Sequence, residues 1–183
     1  MSIKNKYLPF TIIFISKLIL VLISSFIVEE ILSLITNSYE KTYYLIMICM
    51  LVLSGIISIF SIIAYVINYH CIKLLFGKSY FDEKISLHKF LYLSSLGSLI
   101  NSVVLLLVAA VFNFIIGIEA LRSNWNDISN ILQIVLTFLI LCSIGIYAKK
   151  KMEYKSILVS IIICLTPYTF YNCMGLIIKY FIG

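Results

Sequence analysis

The stretch Tyr69–Phe90, YHCIKLLFGKSYFDEKISLHKF, is the one long polar interruption between two very apolar halves of the chain. It carries Lys73, Lys78, Lys84 and Lys89, against Asp82 and Glu83 as its acids. Between apolar runs, such a basic segment is first a topology signal, because cytoplasmic loops of membrane proteins hold an excess of Lys and Arg. Read outward from it, both halves become membrane helices whose direction this loop fixes.

The composition agrees. The chain has 183 residues, 62% hydrophobic and 12% charged, with a mean hydropathy of +1.11. A soluble domain of this size carries roughly a quarter charged residues. Apolar runs approach or exceed the ~20 residues needed to cross the hydrocarbon. They place five spans at about 8–28, 43–67, 90–118, 128–148 and 156–178, and short loops use up the rest. The expected fold is all-α, a polytopic helical bundle forming one integral membrane domain over 1–183. A membrane barrel would show alternation, and these runs are unbroken. The net charge of +6 sits in short loops, which points to topology and anionic lipid rather than to nucleic acid.

Charge alternates by side. Lys4 and Lys6 precede the first span, four lysines fill the central loop, and Lys149, Lys150, Lys151 and Lys155 follow the fourth span. The first and third connections are acidic on balance. The positive-inside rule then puts the amino terminus in the cytoplasm. Tyr39, Tyr43, Tyr44, Trp125, Tyr180 and Phe181 suit an outer aromatic belt, and Tyr69, Tyr147 and Tyr154 an inner one. The first run is longer than a signal-peptide core and lacks an A-x-A-like site, so it reads as an uncleaved helix. Pro9 falls in its first turn, where a missing N–H costs little.

Small and polar residues mark helix contacts in lipid. Ser54, Ser58 and Ser61 in the second span and Ser94, Ser98 and Ser102 in the third read as the two sides of a close-packed hairpin. Lys17 is the one charge well inside a span. It either snorkels or joins Asn101, Ser102 and the carbonyl freed by Pro167 in a polar pocket within the inner half of the membrane. Asn113, Gln133 and Asn172 read as interhelical hydrogen-bonding groups, and His70 and His88 as interfacial. Cys49, Cys71, Cys142, Cys164 and Cys173 show no metal or redox spacing and read as helix filler.

Glu29-Glu30 resembles the start of the EExxxR motif of CPBP-type intramembrane proteases, but the arginine and the later histidines are missing. With no general base in the spans, no catalytic set emerges and no cofactor or metal is expected. The segment LLFGKSYFDEKISLHKFLYLSSLGSL is similar to the second-to-third helix junction of bacterial Yip1-domain proteins. Phe76, Gly77, Lys78, Ser79 and Phe81 stand in for a phrase of the type FGGKGSF, with one glycine absent. LTFLILCSIGIYAKKKMEYKSILVSIII is similar to that family's fourth helix, basic turn and fifth helix. The resemblance implies five spans in a bacterial cell membrane and a cytoplasmic amino terminus. From these features the chain is expected to be non-enzymatic, acting through helix or lipid contacts in assembly, export beside a partner such as an ABC exporter, or immunity to a membrane-active peptide. The alternative is a small transporter or channel subunit with a polar pocket around Lys17.

Overall fold

The computed structural model describes residues 7–27, 40–77, 85–152 and 156–182. Five helices occupy them: α1 Leu8–Ile27, α2 Glu40–Phe76, α3 Leu87–Ile116, α4 Ile118–Met152 and α5 Ile157–Ile182. No strand occurs among the described residues. The fold is an all-α helical bundle, as the unbroken apolar runs predict.

At 1.5 Å per residue, α2 and α4 are about 55 and 52 Å long, well beyond the ~30 Å of hydrocarbon. Two helices therefore run past the spans drawn from hydropathy. The second helix does not stop at 67. Tyr69, Ile72 and Phe76 recur at helical spacing, and all three are buried, so burial of that stripe carries the helix through the first residues of the basic stretch. Gly77, at φ 99°, ends α2 in a conformation that a Cβ would disfavour.

The third connection, expected as a loop over 119–127, is helix. Leu121 and Trp125, one turn apart, are buried in the same core as Leu105 and Ala109. Trp125 is thus a core residue rather than a belt residue, and so is Tyr69, only 3% exposed. The whole break between α3 and α4 is Gly117, at φ 81°. Pro9 is buried in the first turn of α1 and Pro167 lies inside α5, both as read from the sequence. Of the expected connections 29–42, 68–89 and 149–155, residues 29–39, 78–84 and 153–155 lie outside the described residues.

The chain divides into two compact units, Met1–Ile62 with Ser95–Leu136 and Ile63–Ser94 with Thr137–Gly183. The core of the first holds Ile23, Ile27, Leu105, Ala109, Leu121 and Trp125. That of the second is built around Tyr69, Ile72, Phe90, Leu141, Ile144 and Cys164. Within it the Tyr69 hydroxyl donates to the Ile85 carbonyl at 3.0 Å, and the Tyr69 and Phe90 rings meet with centroids 5.4 Å apart. Also there, Gly145 lets α4 and α5 approach so closely that a Cβ at 145 would lie 2.8 Å from Ile161 Cα.

The outside of the bundle is aliphatic and aromatic. Phe60, Leu107, Phe114, Leu158 and Phe170 are all more than half exposed, Phe114 at 92%. Each of the five helices is long and apolar enough to cross a membrane. Apolar surface on this scale is unsustainable in water and natural against acyl chains. The protein is a multi-pass membrane protein.

Candidate functional site

The polar residues of the first unit sort into two arrangements on α1, side by side in sequence. The first is centred on Ser16. Its hydroxyl lies 2.7 Å from that of Ser98 and 2.8 Å from that of Ser102, and all three residues are buried. The Ser102 hydroxyl also donates to the Ser98 carbonyl at 3.0 Å. A hydroxyl has one proton to give, so one assignment satisfies every group. Ser98 donates to Ser16, Ser16 donates to Ser102, and Ser102 donates to the Ser98 carbonyl.

The hydrogen bonds across helices run to α1 rather than between the second and third spans of the expected serine hairpin. The hydroxyls of Ser98 and Ser102 are directed at α1, and Ser16 is the partner that the sequence reading missed. Ser54, Ser58 and Ser61 of α2 each donate back to the carbonyl four residues earlier, at 2.7, 2.6 and 2.8 Å. Such back-bonds satisfy the hydroxyls inside their own helix. Ser54 and Ser58 are buried as small residues, and Ser61 is half-buried. Ser94 is buried in the second unit.

The second arrangement is a cleft of about 620 Å³ that Lys17 lines together with Leu20, Val21 and Ser24 of α1, Cys49, Leu53 and Ile57 of α2, and Gln133 of α4. Its register follows from neighbouring contacts. Ser25 of α1 reaches Met50 of α2, sulfur to oxygen 3.9 Å. The two helices are antiparallel, so Lys17, eight residues before Ser25, falls level with Ile57. Leu121 and Trp125 of α4 share a core with Ile23 and Ile27, and Gln133, about two turns beyond Trp125, lines the same cleft as Lys17. Lysine, glutamine and Ile57 therefore mark one end, and Leu45 and Ile46, about 18 Å away along α2, the other.

Lys17 is half-buried, and no hydrogen bond or ion pair joins it to the described residues. Among the described residues, no carboxylate lines the cleft. Asn101, at the same depth by the register of Ser16 on α3, is not among the lining residues, and Ser102 belongs to the serine ring. The expected grouping of Lys17 with Asn101 and Ser102 is replaced by one with Gln133 and α2. Asn101 keeps a buried Oδ1 with no hydrogen-bond partner, as do Asn68 Oδ1 and His88 Nε2 in the second unit. Pro167 and Ile163 belong to the second unit.

All five cysteines are free, with Cys164 fully buried among apolar side chains and Cys49 exposed on the wall of the cleft. Among the described residues, no group of three His, Cys, Asp or Glu is placed to hold a metal ion. No protein-family model, curated protein or solved structure matches the chain. The Yip1 resemblance accordingly rests on its two sequence segments alone, of which residues 78–84 and 153–155 lie outside the described residues.

Proposed function

We propose that this protein is a non-enzymatic, ligand-holding component of a bacterial cell membrane that binds a membrane amphiphile between α1 and α2. The observation that carries the reading is Lys17. An unpaired cation in a span is costly, and such residues mark function by default. Here it stands at one end of a cleft whose remaining walls are mainly Leu, Ile and Val. The volume falls within the roughly 300–1,000 Å³ of small-molecule sites. Assembly, export beside a membrane partner, or immunity to a membrane-active peptide would each use such a lipid contact. A Yip1-type relationship belongs to this proposal, supported by the phrase around Phe76 and Gly77.

The test is native mass spectrometry of protein extracted in mild detergent. A retained amphiphile above the 20.9 kDa chain is expected, and Leu53→Trp, which fills the cleft from a half-exposed position, should lose it. A bare chain, or equal retention by the variant, rejects the reading. The second reading, a small transporter or channel subunit, is favoured by the unpaired Lys17 beside Gln133. It requires solute flux into proteoliposomes containing the purified chain alone, abolished by Lys17→Leu.

A further inference from the structure

The chemistry of the cleft narrows its ligand, given the lipid-holding reading above. We infer that the ligand is a single-chain aliphatic carboxylate, with its headgroup between Lys17 and Gln133 and its chain running along Leu20, Val21 and Leu53.

Three features converge on this class. First, Lys17 and Gln133 line the same end, while Ser24 and Ser25, farther along α1, carry no charge. Lys17 offers an ammonium with three donors, and Gln133 a carboxamide with two. A carboxylate has two oxygens to satisfy and no proton to place, so it is matched by this pair, while an amine headgroup is repelled and an alcohol leaves the cation uncompensated. Among the described residues, the walls bring a cation and no carboxylate, so the charge complementarity they offer is to an anion.

Second, the rest of the cleft is a mainly apolar groove about 18 Å long between α1 and α2, interrupted by Ser24, Ser25 and Cys49. That shape takes an extended acyl chain, with each buried methylene contributing about 0.8 kcal/mol in transfer terms.

Third, the depth of the headgroup site disfavours a bilayer phospholipid. Lys17 is about 14 Å from the start of α1 at Leu8. It therefore stands near the middle of a ~30 Å hydrocarbon layer. A glycerophosphate anchored at the interface lies half a membrane away. A carboxylate at the end of one flexible chain is small enough to be drawn in, because its desolvation is offset by the half-buried cation it meets.

The experiment is equilibrium binding of radiolabelled myristate to the purified full chain in maltoside detergent. Myristyl alcohol, myristylamine and phosphatidylglycerol serve as competitors. Saturable binding is expected, displaced by palmitate but not by the alcohol, the amine or the phospholipid. Lys17→Met should weaken it about tenfold or more, the scale of a charge-assisted contact, while Lys17→Arg retains most of it. Gln133→Leu should weaken it less. Equal displacement by the alcohol or by phosphatidylglycerol, or binding unchanged in Lys17→Met, overturns the carboxylate. If Leu53→Trp still abolishes binding in that case, the lipid cleft itself stands. Myristate binding that Leu53→Trp leaves intact in a monodisperse, helical protein removes both.

Discussion

Ser16 on α1 and Ser98 on α3 face each other with their hydroxyl oxygens 2.7 Å apart, buried at the contact between the two helices. Two serines allow this approach where two leucines would hold the backbones apart. In a bilayer, which gives no hydrophobic drive between helices, such contacts set which helices are neighbours. Loss of the hydrogen bonds alone in Ser16→Ala should cost about 1 kcal/mol, the usual scale for a polar contact between spans. Ser16→Leu and Ser98→Leu should cost more, about 1–3 kcal/mol, by overpacking. Thermal unfolding in detergent measures both. Ser58→Ala should be milder than Ser98→Ala, since the Ser58 hydroxyl is satisfied by its own helix; the reverse order would reject the ring as the key contact.

Gly145 and Gly55 form a matched pair of opposite sign. A methyl at 145 would meet Ile161 Cα at 2.8 Å and the Ser160 carbonyl at 3.1 Å, and backbone has no rotamer with which to yield. A methyl at 55 meets nothing within 4 Å. Gly145→Ala should therefore lower the melting temperature, at a cost of about 1–3 kcal/mol. Gly55→Ala should be neutral or stabilising by up to about 1 kcal/mol through helix propensity. Circular dichroism melts of the two variants side by side decide the matter.

The direction of the chain across the membrane rests on the alternation of lysine-rich and acidic connections. Single cysteines at Ser38 and Ser123, in a chain freed of its native thiols, should react with an impermeant maleimide from outside. One at Ser79 should react only from the cytoplasm. Ser123 is exposed near the start of α4 rather than in a loop, and should label as well as a loop position if that turn emerges from the bilayer. Outside labelling at 79 would invert the topology.

The five helices were legible because each has a run of apolar residues too long for anything else. Their ends were not. Charges at Glu119, Arg122 and Asp127 disguised the first turns of α4, although Leu121, Trp125 and Leu132 keep a helical period through them. Gly117 was the readable stop signal, needed only because its backbone is left-handed. Lys17 stood out as a charge in a span, and Gln133 as an isolated amide. That they share a cleft depends on which faces of α1, α2 and α4 meet, and no one-dimensional pattern carries that. Ser16 was hidden for the same reason, since a lone serine in an apolar run looks like filler until its partners on α3 are known. Matching depths correctly on Lys17 and Asn101 did not suffice, because depth fixes the height of a residue on its helix and not the side it faces.

The most direct measurement of the central claim is photo-crosslinking in intact membranes with a fatty acid carrying a diazirine at mid-chain, followed by peptide mapping. Adducts are expected to concentrate on residues 17–25 and 45–57, the two walls of the cleft, and to fall sharply in Lys17→Met. Adducts spread evenly over the outward-facing Leu107, Phe114, Leu158 and Phe170, unchanged by loss of Lys17, would contradict it.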